Sequence, residues 1–417
     1  MNIIFGLLIL QVISKQAWVI TDTHFDDLYV AGTAAKCFTV DCCHADSVPR
    51  NGQEDNLSGR CGHYDCYVPL STISSGLDFI AKNGNDGDVV FWLMDAVPGD
   101  VLSQSIDQNK ERVKVMANEI KKKLPNMRIF PTPGNHDYYL SSEWNYPPNC
   151  EWMLEHMADC FSDWLSTEAI ETFKIGGYYT QLIESRLRII SLNFVFFDTF
   201  SIHSGKYPEK DPGDMVAWFK TTLKNAKAAG EKVIIISHEA VGLKNSGKND
   251  LNPTFNQDYA TLMEEYADIV ITHLSGHSHD ETFRVLPSLE NPKFHMLLNP
   301  ALTTWQNINP KLRKITYDLT KVTDWTTYML DIAECNAASS GYNWKELYTA
   351  SSAYGKSDFS TTGLKKLLEK LNNDSTMWTK WLKYYKDIDI TCNAKCKKEM
   401  LCSMKSLTEE AFDQCTA

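Results

Sequence analysis

The sequence lacks any long apolar run after its first fourteen residues. A typical membrane-spanning helix needs about 20 mostly apolar residues, so no second membrane segment is predicted. It also lacks a long Lys/Arg block, and its formal net charge is −12, from 41 basic and 53 acidic residues. This balance argues against nucleic-acid scaffold binding. No internal repeat or low-complexity linker is visible, so 417 residues predict one large domain, or one domain with an appendage.

The N-terminus is a short apolar run, MNIIFGLLILQVIS, that is too short to span a bilayer. We interpret residues 1–16 as a signal peptide cleaved near residues 14–17. The run carries no Lys or Arg in front of it, so a buried N-terminal strand is the alternative. The signal interpretation predicts a soluble protein that is secreted to the extracellular space or resides in a lysosomal lumen.

The sequence has twelve cysteines, an even number that is typical of disulfides formed in an oxidising compartment. Five lie near the N-terminus and four lie at the C-terminus. A zinc knuckle built by the last four is the competing interpretation. Two sequons predict glycosylation at Asn56 and Asn373. The cysteines are Cys37, Cys42, Cys43, Cys61, Cys66, Cys150, Cys160, Cys335, Cys392, Cys396, Cys402 and Cys415.

Five β-type apolar runs each end in residues that can bind a metal. Strands alternate with helical segments along the chain, which favours an α/β architecture. In an open α/β sheet, ligands gather beyond the carboxyl ends of the strands, so we expect these residues to share one crevice. In chain order they are Asp22 and His24, Asp95, Asn135 and His136, His238, and His277 and His279.

The most distinctive of these junctions is Gly276-His-Ser-His279. Gly276 permits a sharp bend, and neutral imidazole is the commonest side-chain ligand of transition metals. Each motif alone also fits a polar loop or a helix cap. Together they supply enough ligands for two ions with one bridging carboxylate. Such a pair lowers the pKa of a bound water toward about 7 and assists phosphoryl displacement, while a nearby His protonates the departing oxygen.

Secondary structure is predicted by periodicity. We expect a helix over residues 101–124 and a strand over 187–197. Three closely spaced strands over 293–298, 312–317 and 325–330 suggest antiparallel hairpins. From about Asn343 the pattern turns helical, with Trp378 and Trp381 between charged residues. That face either contacts lipid or, as we favour, packs against the main domain.

The order DxH, D, GNHD, H and GHSH resembles the calcineurin-like metallophosphoesterase superfamily. Further segments resemble its acid sphingomyelinase branch, from about Trp18 to the C-terminus. They are the clustered cysteines, Gly176-Gly-Tyr-Tyr, Ile190-Ser-Leu-Asn193, and Thr303-Thr-Trp-Gln-Asn-Ile-Asn-Pro310 followed by Tyr317-Asp318. The resemblance implies an α/β fold with a β-sandwich flanked by helices over 17–335. It also implies a disulfide-stapled helical C-terminal subdomain over 336–417.

The resemblance also implies residue roles. One zinc would take Asp22, His24, Asp95 and His279, and the second would take Asp95, Asn135, His238 and His277, with Asp95 bridging. His136 would protonate the leaving group. Four implied disulfides are Cys37–Cys42, Cys43–Cys66, Cys392–Cys396 and Cys402–Cys415. Cys61, Cys150, Cys160 and Cys335 remain, and we predict that Cys150 pairs with Cys160.

The chain departs from the branch at three positions. Met94 replaces a glycine beside the bridging carboxylate, Gly99 replaces a second active-site histidine, and Glu239 adds an acidic group near the expected phosphate site. Only about twenty residues precede Asp22, mostly the predicted signal peptide, so we expect no saposin-like domain before the catalytic one. This favours the branch members that act on soluble nucleotides and related phosphodiesters.

We therefore expect a monomeric, secreted, zinc-dependent phosphodiesterase that uses a metal-bridged hydroxide on nucleotide-like or phospholipid head-group substrates. A metal-binding pseudoenzyme that acts through a binding partner is the alternative, motivated by Met94, Gly99 and Glu239. A third reading is a true sphingomyelinase that reaches lipid through its aromatic tail.

Overall fold

The computed structural model describes residues 14–38, 41–99, 104–386 and 391–417. The apolar core of the predicted signal peptide and the first residues of the predicted helix 101–124 lie outside this part of the chain. Within it there are twelve strands: β1 (Lys15–Ile20), β2 (Val89–Trp92), β3 (Arg128–Pro131), β4 (Tyr179–Glu184), β5 (Leu187–Ser191), β6 (Lys232–Ile236), β7 (Val270–Ser275), β8 (Thr282–Leu286), β9 (Phe294–Leu298), β10 (Lys311–Tyr317), β11 (Val322–Met329) and β12 (Lys345–Thr349).

The same described residues form twelve α-helices and three short 3₁₀ helices, the latter at Phe194–Phe197, Ser204–Lys206 and Pro212–Asp214. The α-helices are α1 (Leu70–Asn83), α2 (Ile106–Lys123), α3 (Glu151–Phe161), α4 (Thr167–Gly176), α5 (Met215–Ala228), α6 (Pro253–Tyr266), α7 (Ile332–Ala337), α8 (Ala350–Tyr354), α9 (Thr361–Asn373), α10 (Ser375–Lys386), α11 (Ala394–Ser403) and α12 (Glu409–Thr416). None of the helices in the described ranges is long and apolar enough to cross a membrane.

The strands form two six-stranded mixed sheets. One has the order β12-β11-β10-β1-β2-β3, and the other has the order β4-β5-β6-β7-β9-β8. In the first sheet β1, β2 and β3 run parallel, whereas β10, β11 and β12 add antiparallel pairs. In the second sheet β5, β6, β7 and β9 run parallel. The carboxyl ends of five parallel strands, β1, β2, β3, β6 and β7, therefore precede the five predicted metal-binding motifs.

The two sheets pack over one shared hydrophobic core. Buried residues of both sheets, including Trp18, Phe91, Ile189 and Ile235, belong to the same cluster. The sheets also exchange hydrogen bonds: the Tyr179 hydroxyl on β4 donates to the carbonyl of Pro131 on β3, at 2.8 Å. Helices flank this two-layer arrangement, and disulfides link the C-terminal helices. The predicted α/β sandwich with flanking helices is thus confirmed.

Two predicted elements differ from the structure. The apolar run 187–197 forms β5 only as far as Ser191 and then a 3₁₀ helix over Phe194–Phe197. All four residues of that helix are buried and apolar, so their sequence shows neither the two-residue period of a strand nor the 3.6-residue period of a helix. Residues after Asn343 were expected to be helical, yet β12 extends the first sheet by pairing with β11. The predicted subdomain that starts at residue 336 therefore contributes an edge strand to the main sandwich.

Five disulfides join ten of the cysteines in the part of the chain that the structure describes. The four implied pairs form: Cys37–Cys42, Cys43–Cys66, Cys392–Cys396 and Cys402–Cys415. Because the last four cysteines are used in two disulfides, the zinc-knuckle interpretation is wrong. The fifth disulfide joins Cys61 to Cys335, 274 residues away.

The predicted Cys150–Cys160 disulfide is wrong, since both thiols are free. Cys150 is the N-cap of α3, and Cys160 lies in the last turn of the same helix. A helix rises about 1.5 Å per residue, so the two Cα atoms are separated by roughly 15 Å. A disulfide requires Cα atoms less than about 7 Å apart.

The aromatic tail packs inside the protein and does not present a surface to lipid. Trp378 and Trp381 on α10 are only 6% and 2% exposed. Trp381 packs against Trp378 and Tyr385, with ring centroids 5.0 and 5.1 Å away. These residues therefore agree with the prediction that we favoured, in which this face packs against the main domain.

Candidate metal centre

The structure brings all eight predicted metal-site residues to one place. The first sheet supplies Asp22 and His24 after β1, Asp95 after β2, and Asn135 and His136 after β3. The second sheet supplies His238 after β6, and His277 and His279 after β7. Seven of the eight side chains belong to residues that are buried or nearly so, and His136 is 25% exposed. The parallel strand ends of two facing sheets thus meet over a single site.

Six residues of the junctions have left-handed backbone conformations that are uncommon outside glycine. Their φ angles lie between 41° and 67°. Such conformations persist only where the surrounding structure enforces them, and they concentrate at functional sites. The residues are Asp22, His24, Met94, Asp95, His277 and His279.

Glycine is needed at two of the junctions because the backbone segments approach closely. A Cβ atom at Gly276 would lie 2.0 Å from the Thr21 hydroxyl oxygen. A Cβ atom at Gly134 would lie 2.5 Å from the amide nitrogen of Asp95. The bend that we expected at Gly276 is made instead by the positive φ angles of His277 and His279. Gly276 is needed because a larger residue would collide with Thr21, just after β1.

The first group of ligand atoms lies around Asp22, His24 and His279. The Nε2 atoms of His24 and His279 are 3.1 Å apart. The Nε2 atom of His279 is 3.3 Å from Asp22 Oδ1, and that of His24 is 3.4 Å from Asp95 Oδ2. This is the set that the family resemblance implies for the first ion.

The second group lies around His238. Its Nε2 atom is 3.0 Å from Asn135 Oδ1 and 3.5 Å from Asp95 Oδ2. The Nδ1 atom of His277 is also 3.0 Å from Asn135 Oδ1. Asp95 Oδ2 therefore lies between the two groups, as a bridging carboxylate must.

The donor set fits cations, because lone pairs point at one another across the site. Nδ1 of His24 donates to the carbonyl of Val97 at 2.8 Å, and Nδ1 of His238 donates to that of Leu93 at 2.7 Å. In a neutral imidazole the other nitrogen is then an acceptor. Nε2 of both rings consequently presents a lone pair toward carboxylate and imidazole acceptors. Binding a cation at this point satisfies all of these atoms.

Burial and charged neighbours shift the pKa values of the carboxylates and imidazoles in this site. Burial opposes ionisation of Asp22, but His279 and His238 hold its pKa below the usual range. Burial also disfavours protonation of His238, yet Asp95 and Asp22 raise its pKa to about 9. Burial opposes ionisation of Asp95 as well, but His136 and His238 hold its pKa well below the usual range. Both carboxylates are thus held in the ionised form that a metal requires.

His136 lies at the edge of this group and faces the cavity. Its backbone N–H donates to Asp95 Oδ1 at 2.7 Å, which fixes its position relative to the bridging carboxylate. The Ser141 hydroxyl lies 2.5 Å from its Nδ1. Burial lowers the pKa of His136 to about 4, although Asp95 favours the protonated ring. When Ser141 donates to Nδ1, the neutral ring carries its proton on Nε2, which is 4.0 Å from Asp95 Oδ2.

Sequence reasoning did not assign a role to Asp137, which joins two of the junctions. Its carboxylate accepts hydrogen bonds from the backbone N–H groups of Gly134 at 2.8 Å, Ala96 at 2.7 Å and Asp95 at 3.2 Å. Burial and the charge of Asp95 raise the pKa of Asp137 to about 7. Its position directly after His136 in the GNHD motif was the available signal.

The ligand atoms open into a cavity of about 580 Å³. We call the eight predicted residues the metal-facing floor, although only His24, Asp95, His136, His277 and His279 line the cavity and the other three are buried. We call six of the other lining residues the outer wall; they come from the end of the cysteine-rich loop, the loop after His238, the segments after β7 and β9, and the C-terminal helices. The outer wall consists of Tyr67, Lys244, Asn245, Asp280, Trp305 and Tyr385. Of these residues, Trp305 lies in a segment that carries the family resemblance, but no sequence pattern predicted that the six would meet at one cavity.

The three departures from the family pattern have distinct surroundings. Met94 is fully buried and has a φ of 48°, a conformation that a glycine adopts at lower cost. Gly99 lines the cavity beside His136. Glu239 was expected to add negative charge near the phosphate site, but it is fully buried and lies outside the cavity lining. Burial, followed by Asp198 and Asp250, raises the pKa of Glu239 well above its usual range, which favours an uncharged side chain.

Comparison with known proteins gives matches over almost the whole chain. A family model described as calcineurin-like phosphoesterase matches residues 16–281, and one described as acid sphingomyelin phosphodiesterase C-terminal region matches residues 295–417. The chain is 29% identical over 405 residues to sphingomyelin phosphodiesterase A of Dictyostelium discoideum, covering 95% of this chain and 67% of that protein.

Two further relatives have lengths closer to that of this chain. Sphingomyelinase phosphodiesterase C of Dictyostelium discoideum is 29% identical over 425 residues, covering 95% of this chain and 92% of that protein. Cyclic GMP-AMP phosphodiesterase SMPDL3A of Bos taurus is 28% identical over 419 residues, covering 96% and 90%. Among solved structures, a dimetal phosphatase from Danio rerio aligns with a TM-score of 0.45 at 10% identity, over 75% of this chain and 95% of that one.

Proposed function

Because the chain belongs to the calcineurin-like phosphoesterase family, we propose that it is a secreted, zinc-dependent phosphodiesterase that acts on nucleotide-like or phospholipid head-group substrates. The predicted class, a metal-dependent phosphoric diester hydrolase of the acid sphingomyelinase-like branch, is confirmed by the family matches. The substrate, the zinc identity and the secretion are the parts that the proposal adds.

One observation carries the proposal: two groups of ligand atoms share Asp95 and open into one cavity next to His136. Nε2 of His24, in the first group, is 3.4 Å from Asp95 Oδ2, and Nε2 of His238, in the second group, is 3.5 Å from the same oxygen. We assign Asp22, His24, Asp95 and His279 to one ion, and Asp95, Asn135, His238 and His277 to the other. Imidazole and carboxylate ligands suit zinc.

Two divalent cations at this site would polarise the phosphoryl group and supply an activated water. The chain's own residues orient the reaction. The Asp22 and Asp95 carboxylates and the His238 and His279 rings fix the ion positions, and Asp137 holds the Asp95 and Gly134 loops together. As the oxygen of a water bonds to phosphorus and releases a proton to solvent, the phosphorus–oxygen bond of the leaving group breaks. The imidazolium form of His136 donates its Nε2 proton to the departing oxygen and is left as a neutral ring. Because burial lowers the pKa of His136 to about 4, this form is most populated at acidic pH.

The outer wall supports an anionic substrate with a polar group attached. Lys244 is part of that wall and pairs with Asp250 at 3.0 Å. Asn245, Asp280 and Tyr385 offer further polar contacts, since the Tyr385 hydroxyl lies 2.7 Å from Asn245 Nδ2 and 2.5 Å from Asp280 Oδ2. A nucleoside or a phospholipid head group would extend along this polar surface. The printed names of the relatives include both substrate classes.

Secretion is supported by the five disulfides, because such bonds persist in oxidising compartments. Of the two sequons, Asn373 is exposed at the end of α9. Asn56 is half-buried, and its side-chain oxygen lies 3.0 Å from His63 Nε2. We therefore expect glycosylation to be more complete at Asn373 than at Asn56, on a chain that we propose to be monomeric.

The test combines metal analysis with hydrolysis of bis(p-nitrophenyl) phosphate from pH 4 to 8, for the wild type and His136→Ala. We expect about two zinc ions per chain in both, and a rate that falls in the variant by about 10²- to 10⁴-fold. A panel of nucleotides, cyclic dinucleotides and sphingomyelin then identifies the substrate class. Two bound ions with no turnover on any of these would favour the metal-binding pseudoenzyme, and no bound metal would overturn the ligand assignment.

A further inference from the structure

The imidazole ring of His279 is held less directly than the rings of His24 and His238. In those two residues, Nδ1 donates to a backbone carbonyl at 2.8 and 2.7 Å, respectively. Nδ1 of His279 is buried but has no hydrogen-bond partner in the part of the protein that the structure describes. A bond at the second nitrogen is what usually fixes the ring orientation of a metal-binding histidine. The orientation of the His279 ring must therefore be set largely by its backbone.

The backbone of His279 has a conformation that needs support from its surroundings. Its φ angle is 57°, in the left-handed region. A residue other than glycine stays in this region only where neighbouring contacts enforce it. The next two residues, Asp280 and Glu281, are 13% and 4% exposed. Contacts that hold these two residues are thus in a position to fix the conformation of His279.

Tyr385, near the end of α10, contacts both of the residues that follow His279. Its hydroxyl donates to Asp280 Oδ2 at 2.5 Å. Its backbone carbonyl accepts a hydrogen bond from the N–H of Glu281 at 3.0 Å. Next to it, Lys386 Nζ lies 3.1 Å from Asp280 Oδ1. The end of α10 therefore holds the side chain of one residue and the backbone of the next.

The hydroxyl of Tyr385 is itself oriented by a second hydrogen bond. Asn245 Nδ2 donates to the hydroxyl oxygen at 2.7 Å, so the hydroxyl proton is directed to Asp280. The Ser403 hydroxyl donates to Asn245 Oδ1 at 2.9 Å, which fixes the orientation of that amide. The Tyr385 ring is 4% exposed and packs against Trp381, with centroids 5.1 Å apart. Tyr385 is therefore a well-ordered donor to Asp280.

The same segment is anchored on its other side by the carboxylate of Glu281. Its Oε1 atom accepts hydrogen bonds from Arg313 Nη2 at 2.6 Å, from the Thr327 hydroxyl at 2.6 Å and from the Tyr348 hydroxyl at 2.5 Å. These three donors lie on β10, β11 and β12 of the first sheet. The chain that follows His279 is thus held between that sheet and α10.

We propose that Tyr385 is a positioning residue for the ion that we assign to His279. By holding Asp280, it keeps the backbone of His279 in the conformation that directs Nε2 toward this ion. The proposal rests on the proposed function of the site, since it uses the same assignment of ligands to two ions. It makes α10, a C-terminal helix, part of the support of the metal centre.

The first test is Tyr385→Phe, which removes the hydroxyl and keeps the buried ring. Zinc affinity is measured without substrate, by competition with a chelator. We expect one of the two zinc-binding steps to weaken about 10- to 100-fold, as for loss of an outer group that orients a metal ligand. The other step should stay at its wild-type affinity. Wild-type affinity at both steps in a folded Tyr385→Phe protein would overturn the proposal.

Two controls separate positioning from a general loss of stability. Tyr384→Phe changes the preceding residue of α10, whose ring stacks on Tyr348 and lies outside the cavity. Tyr178→Phe removes a buried hydroxyl that donates to the carbonyl of Gly213 at 2.6 Å, also outside the cavity. Both variants should bind two zinc ions with wild-type affinity. If Tyr178→Phe weakens zinc binding as much as Tyr385→Phe, the effect follows from stability and the proposal is wrong.

A variant of the ligand itself identifies the ion that Tyr385 supports. In a His279→Ala background there is no ring left to position. Adding Tyr385→Phe should then change the affinity for the remaining zinc ion by at most about twofold, since effects that act through one partner are not additive. A full 10- to 100-fold loss in this background would show that Tyr385 does not act through His279, and would contradict the assignment.

The route through Asp280 is tested in the same way. Asp280→Ala removes the acceptor of the Tyr385 hydroxyl and should weaken the same zinc-binding step. Adding Tyr385→Phe to this variant should cost at most about a further twofold. Two full and independent losses would mean that the hydroxyl does not act through Asp280, and the proposal would fail.

These zinc measurements distinguish this proposal from the proposed function. A wild type that binds two zinc ions but hydrolyses none of the tested diesters would count against the phosphodiesterase and leave the role of Tyr385 in place. An active wild type with unchanged zinc affinity in Tyr385→Phe would overturn the role of Tyr385 alone. A wild type that binds no zinc would overturn both.

Discussion

The metal-facing floor and the outer wall meet at the same cavity but are built in different ways. Each floor residue lies within five residues of the end of a parallel strand, and the order of the motifs along the chain follows those strands. The wall takes Tyr67 from a disulfide-bonded loop, Lys244 from the loop after β6, Trp305 from the segment after β9, and Tyr385 from α10. The floor thus depends on strand-end geometry, whereas the wall depends on the packing of distant segments.

This difference between the floor and the wall indicates which residues govern the reaction and which govern substrate binding. The floor atoms are fixed by backbone hydrogen bonds such as those of Asp137 and His136, so they hold ions in one geometry. The wall contacts are side-chain contacts between segments, including the Tyr67–Trp305 stack and the Asn245–Tyr385 hydrogen bond. Changes to the floor should therefore remove catalysis, while changes to the wall should alter stability, substrate affinity or the rate by smaller factors.

The largest effect should come from the floor residue His238. His238→Ala removes a ligand whose Nε2 lies within 3.0 Å of Asn135 and 3.5 Å of Asp95. We expect the chain to lose about one of its two metal ions, and kcat to fall by more than about 10³-fold, because the two-metal arrangement supplies both the nucleophile and charge stabilisation. Metal analysis and single-turnover kinetics measure the two effects.

His156→Ala is the matched control for that experiment. His156 lies on α3, bonds to the carbonyl of Lys110 at 2.8 Å, and is not part of the cavity. It should retain both metals and the wild-type rate. Full activity in His238→Ala would show that the floor is not the catalytic centre.

The second effect concerns how the C-terminal helices support the wall. Trp381→Ala removes a ring that is 2% exposed and packs against Tyr385. Replacing a buried Trp with Ala should lower the free energy of unfolding by about 3–5 kcal/mol. Urea denaturation measures this loss, and Trp305→Ala, in which the ring is 37% exposed, should lose much less.

A milder substitution at the same position tests whether the tail is a lipid-contacting face. Because Trp378 and Trp381 are buried, sedimentation with sphingomyelin-containing liposomes should not differ between the wild type and a folded Trp381→Phe protein. Loss of liposome binding at unchanged stability would restore the lipid interpretation.

A smaller effect is expected at Lys244, the lysine of the outer wall. Lys244→Met should raise KM for an anionic diester about three- to tenfold and leave kcat nearly unchanged, because its charge acts on bound substrate and transition state alike. Lys248→Met is the control, since Lys248 is exposed and pairs with Glu409 at 2.9 Å. An equal fall in kcat and kcat/KM for Lys244→Met would place the lysine among the groups that act only in the transition state.

The smallest expected effect concerns the number of free thiols that react before and after unfolding. In denaturant and without reductant, about two thiols per chain should react with a colorimetric disulfide reagent, from Cys150 and Cys160. In the native protein the buried Cys150 should react far more slowly than in the unfolded chain, because burial raises the pKa of its thiol to about 12 and blocks access. No reactive thiol after unfolding would mean that the predicted Cys150–Cys160 bond does form.

Several features could be predicted because their signal is local. The eight floor residues follow β-type apolar runs, and the runs themselves fix which residues meet at the strand ends. The four disulfides that form as expected were implied by the family resemblance and not by cysteine spacing, and they join residues 4 to 23 positions apart. Glu239 was misjudged because the sequence places it next to His238, whereas burial, together with Asp198 and Asp250, raises the pKa of its carboxyl and favours the uncharged form.

Other features had no local signal. Cys61 and Cys335 are 274 residues apart, and nothing in their spacing distinguishes them from Cys150 and Cys160. The conformation of Phe194–Phe197 and the strand β12 depended on what packs around them. From the sequence, Gly99 could be described only as the loss of a second active-site histidine, whereas the structure shows the Tyr67 hydroxyl beside it.

The order of residues along the chain is enough to predict which side chains could hold metal ions, because ligand types that follow successive strands are brought together where those strands end. Which residues face these ligands depends on the tertiary structure. The outer wall joins residues separated by up to about three hundred positions, and side-chain packing between them carries no periodic or short-range pattern. Whether a carboxyl is charged or a glycine makes room for a hydroxyl is likewise set by burial and contact distance, which exist only in the folded chain.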